Sequence, residues 1–163
     1  MKQALIFDWG DTIMRDFPEK PGPMSDWDYV EWIPGAEKAL QQLCDTYIMV
    51  IATNAGHSNA ETMIAALKRV GADRYFRYFF SSKDLMYEKP DVRFFETIAR
   101  KIDILPQHCV MIGNLYEKDI VGAKQCGMST VLFNEKGEKG DYAMADAVIH
   151  AMVDLPDIIE HLR

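Results

Sequence analysis

Short apolar runs alternate with helical patterns along this chain, and that alternation narrows the fold more than any other feature. Ala4 to Phe7, Tyr47 to Ala52, Tyr78 to Phe80, Cys109 to Ile112 and Thr130 to Phe133 read as strands, with Ala147 to Ile149 as a weaker sixth. Between them, apolar residues recur at helical spacing: Ala36, Ala39, Leu40 and Leu43, then Ala60, Met63, Ile64 and Leu67, then Phe95, Ile98, Ala99 and Ile102. Pro90 suits the first turn of the third of these helices, and Gly71 and Gly127 suit helix ends. Strands that are apolar throughout, rather than alternating, belong to a parallel sheet covered on both faces. The expected class is α/β, a Rossmann-like three-layer α/β/α domain with a mostly parallel sheet. In such folds ligands bind beyond the carboxyl ends of the strands.

The 163 residues point to a single domain over residues 1–163, long enough to bury about two-thirds of its unfolded surface without disulfide or metal staples. Two segments break the rhythm: Asp16 to Ile33, with three prolines and two tryptophans, and the polar stretch Glu135 to Asp141. Each is too short to be a domain. The net charge of −7, with no run of Lys or Arg, excludes non-specific binding to nucleic acid. The longest apolar run, Tyr47 to Ala52, is far below the ~18–20 residues needed to cross a bilayer, so no membrane association is expected. The N-terminus lacks the pattern of a secretory signal. Cys44, Cys109 and Cys126 have no metal-ligand spacing and read as buried thiols of a reducing, cytoplasmic setting.

Four polar stations follow or adjoin the apolar runs. Asp8-Trp9-Gly10-Asp11-Thr12 follows the first strand and Thr53-Asn54 the second. Lys89-Pro90 opens the helix after the third, and Gly113-Asn114 follows the fourth, with Asp119 five residues beyond Asn114. Strand ends of a parallel sheet converge on one edge, so these groups can meet there. Together they offer carboxylates, amides, a hydroxyl and a lysine. Carboxylate and amide oxygens suit Mg²⁺, which keeps waters and shares its shell with substrate phosphate. A lysine beside them would counter phosphoryl charge. No cluster of His or Cys competes for zinc. His57, close behind Thr53, is a weaker candidate for substrate contact.

The ordered set resembles the four signature motifs of the haloacid-dehalogenase-like superfamily, over roughly residues 4 to 135. Asp8 matches the nucleophile, Thr53 the hydroxyl of the second motif and Lys89 the lysine of the third. Asn114 and Asp119 match the acidic pair of the fourth, and Asp119-Ile120-Val121-Gly122-Ala123 looks like its usual continuation. The resemblance implies a two-step phosphoryl transfer from a phosphorylated substrate through an aspartyl-phosphate on Asp8. It implies Mg²⁺ held by Asp8, the Gly10 carbonyl, Asn114 and Asp119. It also implies that Thr53, Asn54 and Lys89 contact the phosphoryl group.

Two positions depart from the family pattern. The usual motif is Asp-x-Asp-Gly-Thr, in which the second Asp protonates the leaving group and later activates water. Gly10 stands there and can do neither. Asp11, one place further on, enters as a catalytic candidate if Gly10 lets the backbone turn; otherwise it stabilises the turn. Asn114 stands where the family has Asp, so weaker metal binding is expected. Residues 16–33 lie where many family members insert a cap domain. A segment this short leaves the site open to large substrates, to a lid from a neighbouring subunit of a homo-oligomer, or to the loop itself as a partial lid. Two further readings stay open: a metal-free dehalogenase-type hydrolase, and a non-catalytic phosphate-binding or interaction protein on the same fold.

Overall fold

The computed structural model describes residues 3–54, 56 and 59–162; His57 lies outside them. Six strands form one sheet: β1 (Ala4–Phe7), β2 (Ile48–Thr53), β3 (Tyr78–Ser81), β4 (Cys109–Gly113), β5 (Ser129–Phe133) and β6 (Ala147–Ile149). They lie in the order β3-β2-β1-β4-β5-β6. Every pairing is parallel, with Phe7 of β1 beside Ile51 of β2 and Ile112 of β4. Helices α1 (Ala36–Leu43), α2 (Ala60–Lys68), α3 (Ser82–Leu85), α4 (Val92–Ile102), α5 (Gly122–Gln125) and α6 (Leu155–His161) make the connections and the C-terminus. The α/β class expected from the alternation is the class observed.

The side-chain alternation of each strand feeds two cores. Leu5 and Phe7, with Met49 and Ile51, face α1, α2 and α6 and pack on Leu40, Leu67 and Ile159. Ala4 and Ile6, with Val50 and Ala52, face the other way, onto Phe94, Phe95 and Ile98 of α4 and Ala123 of α5. Burying both faces is why the strands carry no polar alternation.

Helix ends follow their local chemistry. Asn59 caps α2 reciprocally with Thr62, and Gly71 continues beyond its end at φ +70°. Gly127 does the same after α5 at φ +90°. Pro90 is not in the first turn of α4: it precedes the cap, Asp91, whose side chain accepts from the Arg93 N–H. An Asx cap supplies the acceptor that proline cannot, so the helix begins one step later than expected. Of the three thiols only Cys109 is fully buried, and burial pushes it up to about 12. Among the described residues no helix is long and apolar enough to cross a membrane.

Because β1 has β2 on one side and β4 on the other, with crossovers running to opposite faces, a crevice opens at the carboxyl ends of β1 and β4. The irregular segment after β1 returns along this edge. Ile33 N–H donates to the Ile13 carbonyl and Arg15 N–H to that of Glu31, so the excursion leaves and re-enters as a short antiparallel clasp. Inside it Phe17 packs against Trp27 and Tyr29. The Arg69 guanidinium, just past α2, donates to the carbonyls of Trp27 and Asp28 at 2.5 and 3.2 Å. The segment is thereby anchored at both ends and at its middle.

Candidate active site

Asp8 is the first residue beyond β1, and its N–H continues the ladder to the Ile112 carbonyl of β4 at 2.9 Å. Its carboxylate therefore stands at the crevice between the two strands. Lys89 reaches it from the segment before α4. The Lys89 Nζ donates to Asp8 Oδ1 at 2.7 Å, to Asp119 Oδ1 at 2.7 Å and to the Ala52 carbonyl at 3.2 Å. Lys89 is 3% exposed and Asp119 1% exposed. A cation this deep is tolerable only with such partners.

The charges act on one another. Burial pulls the Lys89 ammonium down, but the carboxylates of Asp119 and Asp8 outweigh it and leave its pKa above the ordinary lysine value. For Asp119, burial and then repulsion from Asp8 push the carboxyl up to about 6, against the opposing pull of Lys89. The Leu115 N–H also donates to Asp119 Oδ2 at 2.9 Å. This contact arises because the chain after β4 winds as a π-helical turn, Tyr116–Val121, which brings Asp119 back toward the strand end. Gly113 makes room for it: a Cβ there would fall 2.4 Å from the Asp119 carboxyl carbon.

Sequence position alone does not mark Thr12, yet it is fully buried at the centre. Its Oγ1 lies 3.5 Å from Asp8 Oδ2 and 3.3 Å from Asn114 Oδ1. One hydroxyl carries one proton, so two oxygen acceptors share a single donor. The pair retains acceptor capacity for a cation. Among the described residues no three His, Cys, Asp or Glu side chains converge as a metal cage. Asp8, Asp119 and Asn114 bring two carboxylates and an amide to this edge, oxygen donors that fit a hard ion that keeps water in its shell.

The other candidates divide. Thr53 ends β2, is buried, and turns its hydroxyl to the neighbouring Asn54 carbonyl at 3.3 Å, a contact easily exchanged for a ligand. Asn54 makes a structural contact. Its Oδ1 accepts from the Lys89 N–H at 2.8 Å and its Nδ2 donates to the Lys89 carbonyl at 3.0 Å, so the amide clamps the lysine main chain. Asp11 has left-handed backbone, φ +55°, and its Oδ1 accepts from the Asp16 N–H at 3.0 Å and lies 3.7 Å from the Arg15 guanidinium. Arg15 itself is held in a two-point pair by Glu135. Partial burial, then the charges of Asp11 and, more weakly, Asp8, raise the Asp16 carboxyl above its usual range.

Comparison with known proteins shows the family. Residues 12–133 match the haloacid dehalogenase-like hydrolase family. A glyceraldehyde 3-phosphate phosphatase from Pyrococcus furiosus is 28% identical over 83% of this chain and 56% of its own length. An (S)-2-haloacid dehalogenase 4A from Burkholderia cepacia is 31% identical over 75% of this chain and 52% of its own. The chain thus spans about half the length of these curated relatives. An uncharacterized protein from Listeria monocytogenes serotype 4b superimposes with a TM-score of 0.86 at 22% identity over 98% of both chains. With the family match covering most of the sheet and the strand order β3-β2-β1-β4-β5-β6 placing the acidic and basic groups at one edge, the chain belongs to the haloacid dehalogenase-like hydrolases.

Proposed function

We propose that this protein is a Mg²⁺-dependent phosphomonoesterase that forms an aspartyl-phosphate on Asp8. The observation that carries the reading is the Lys89 ammonium, buried between Asp8 and Asp119 at 2.7 Å from each. A fixed cation beside a carboxylate nucleophile offsets the repulsion when that carboxylate approaches an anionic ester. The phosphatase relative points the same way, since glyceraldehyde 3-phosphate is a phosphate monoester. Asp8 attacks phosphorus, the ester oxygen departs, and water then cleaves the acyl phosphate. Thr53 and Lys89 hold phosphoryl oxygens through the transfer, and Asn54 fixes Lys89 through its main chain. Asp11 sets the turn that returns Thr12 beneath Asp8.

Asp8, Asn114, Asp119 and the Gly10 carbonyl would hold the ion. Bound Mg²⁺ supplies charge neutralisation at the phosphoryl oxygens and orients the group for in-line attack. The expected result is phosphate release from small phosphate monoesters that stops with chelator and returns with Mg²⁺. Half-activation is expected at rather high metal, because Asn114 brings an oxygen but no charge. Asn114→Asp should tighten Mg²⁺ at least several-fold in a calorimetric titration; unchanged affinity would remove residue 114 from the metal shell.

The dehalogenase relative and Gly10 favour a second reading, in which Asp8 displaces halide from carbon without metal. Halide release from a 2-haloacid that is indifferent to chelator, with no phosphate release from esters, would establish it in place of the first.

A further inference from the structure

The acid that the second motif position lacks has a replacement in space. Gly10 does not have left-handed backbone, so no strain demands a glycine there. A Cβ built on it would meet only ordinary contacts, and the three nearest atoms belong to one side chain: Asp16 Cβ at 3.5 Å, Cγ at 3.8 Å and Oδ2 at 3.9 Å. The direction in which a residue-10 side chain would project is the direction from which the Asp16 carboxyl approaches. The two positions are alternatives for one carboxyl, because two acids there would stand in contact and repel.

The loop that brings Asp16 to this place is built for it. Asp11 accepts from the Asp16 N–H at 3.0 Å, and the left-handed turn at Asp11 reverses the chain after Gly10. Asp16 is solvent-exposed, and it is near enough to Asp8 to feel its charge. It lines a cavity of about 310 Å³ together with Trp9, Gly10, Thr53 and Asn54. Thr53, the proposed phosphoryl-binding residue, lines one side of that cavity, and the aromatic part of the excursion, Phe17 and Trp27, lines another. A phosphoryl group held at Thr53 and Asp8 has room in this cavity for its leaving group, and Asp16 is the carboxyl beside it.

We infer that Asp16 is the acid–base residue of this site, acting across the space that Gly10 leaves open. The inference rests on the phosphomonoesterase reading above. In the first step the Asp8 oxygen forms its bond to phosphorus, the ester P–O bond breaks, and the Asp16 proton passes to the departing oxygen. In the second step a water oxygen bonds to phosphorus, its proton passes to Asp16, and the Asp8–phosphorus bond breaks. Asp8 and Asp16 end as they began, and no further reactant is needed.

The test compares the whole chain with Asp16→Asn and with Asp16→Asn/Gly10→Asp, all with Mg²⁺, on glycerol 2-phosphate and on p-nitrophenyl phosphate. General acid–base catalysis contributes about 10²–10⁴-fold. Asp16→Asn should lose that much on glycerol 2-phosphate, whose alkoxide needs a proton to leave. On p-nitrophenyl phosphate it should release a burst of nitrophenolate and then turn over slowly, since only the second step still needs the base. Restoring a carboxyl at position 10 in the same background should recover at least tenfold on the alkyl ester. A role for Asp16 in loop structure alone would slow both esters alike, give no burst and gain nothing from Gly10→Asp; that pattern in folded variants overturns the assignment while leaving the parent reading intact. A wild-type chain that releases phosphate from neither ester, with or without Mg²⁺, overturns both.

Discussion

Asp8→Asn is expected to reduce turnover by a factor on the order of 10⁶, the scale seen when a covalent nucleophile is removed. An amide cannot form the acyl phosphate, and no other described carboxyl stands at the end of β1. The fold should survive. The Lys89 ammonium keeps Asp119 as its charged partner at 2.7 Å, and the amide oxygen that replaces the Asp8 carboxylate can still accept from it. Removing the Asp8 charge also relieves one of the causes that push Asp119 upward. Phosphate release and thermal melting, measured on the same preparation, check both halves. A folded variant with unchanged turnover would sink the mechanism.

Lys89→Met should have the largest effect on stability. The substitution leaves two carboxylates facing each other without a cation. Breaking a buried pair by removing one partner costs about 3–5 kcal/mol. The loss should depend on pH in a definite direction. The Asp119 carboxyl already titrates near 6, above the ordinary value of 3.8, while Lys89 holds it down. Without Lys89 its native pKa rises further. A carboxyl with a raised native pKa stabilises the fold when protonated. That contribution is fully present below the unfolded pKa and is lost as pH rises through the native one. Urea unfolding of the metal-free variant should therefore show the full deficit at about pH 7.5 and a clearly smaller one at about pH 4.5. Equal deficits at the two would mean that lost packing, not unpaired charge, is the cause.

The sheet was legible in the sequence because its strands are buried on both faces, which leaves runs such as Leu5-Ile6-Phe7 and Val50-Ile51-Ala52 with no polar member. The boundaries shifted where the last strand residue is polar or small. Thr53, Ser81 and Gly113 all complete their strands, although they read as the start of the following loop. Of the site, the groups at strand ends could be ordered from sequence, since topology alone brings them to one edge. Contacts set by loop path could not. Nothing local distinguishes a lysine between two carboxylates from a solvated one, or an Asn54 that clamps Lys89 from one that faces substrate. Thr12 becomes central only because the turn from Trp9 to Met14 folds it beneath Asp8. Asp16 is six residues from Gly10 in the chain, and only the left-handed turn at Asp11 makes the two neighbours.

The clasp at the base of the excursion has a consequence beyond anchoring. Ile13 pairs with Ile33 and Arg15 with Glu31 through main-chain bonds, to which the Arg15–Glu31 side chains add an ion pair at 3.9 Å, so closure does not depend on which side chains lie between. The ends of the excursion are fixed side by side, and loop-closure entropy grows slowly, by only about 0.6 kcal/mol for each doubling of length. The position works as a socket. A longer segment, or a whole inserted domain, could be carried there without altering the sheet or the Asp8–Lys89–Asp119 group beneath it. Arg69, which reaches up from α2 to the present segment, is the part of the scaffold that a different insert would have to replace or ignore. Substrate selection and phosphoryl chemistry thus meet in this architecture only at Asp16: the residues 17–30 above the clasp can be exchanged, while Asp8, Lys89 and Asp119 stay with the sheet below.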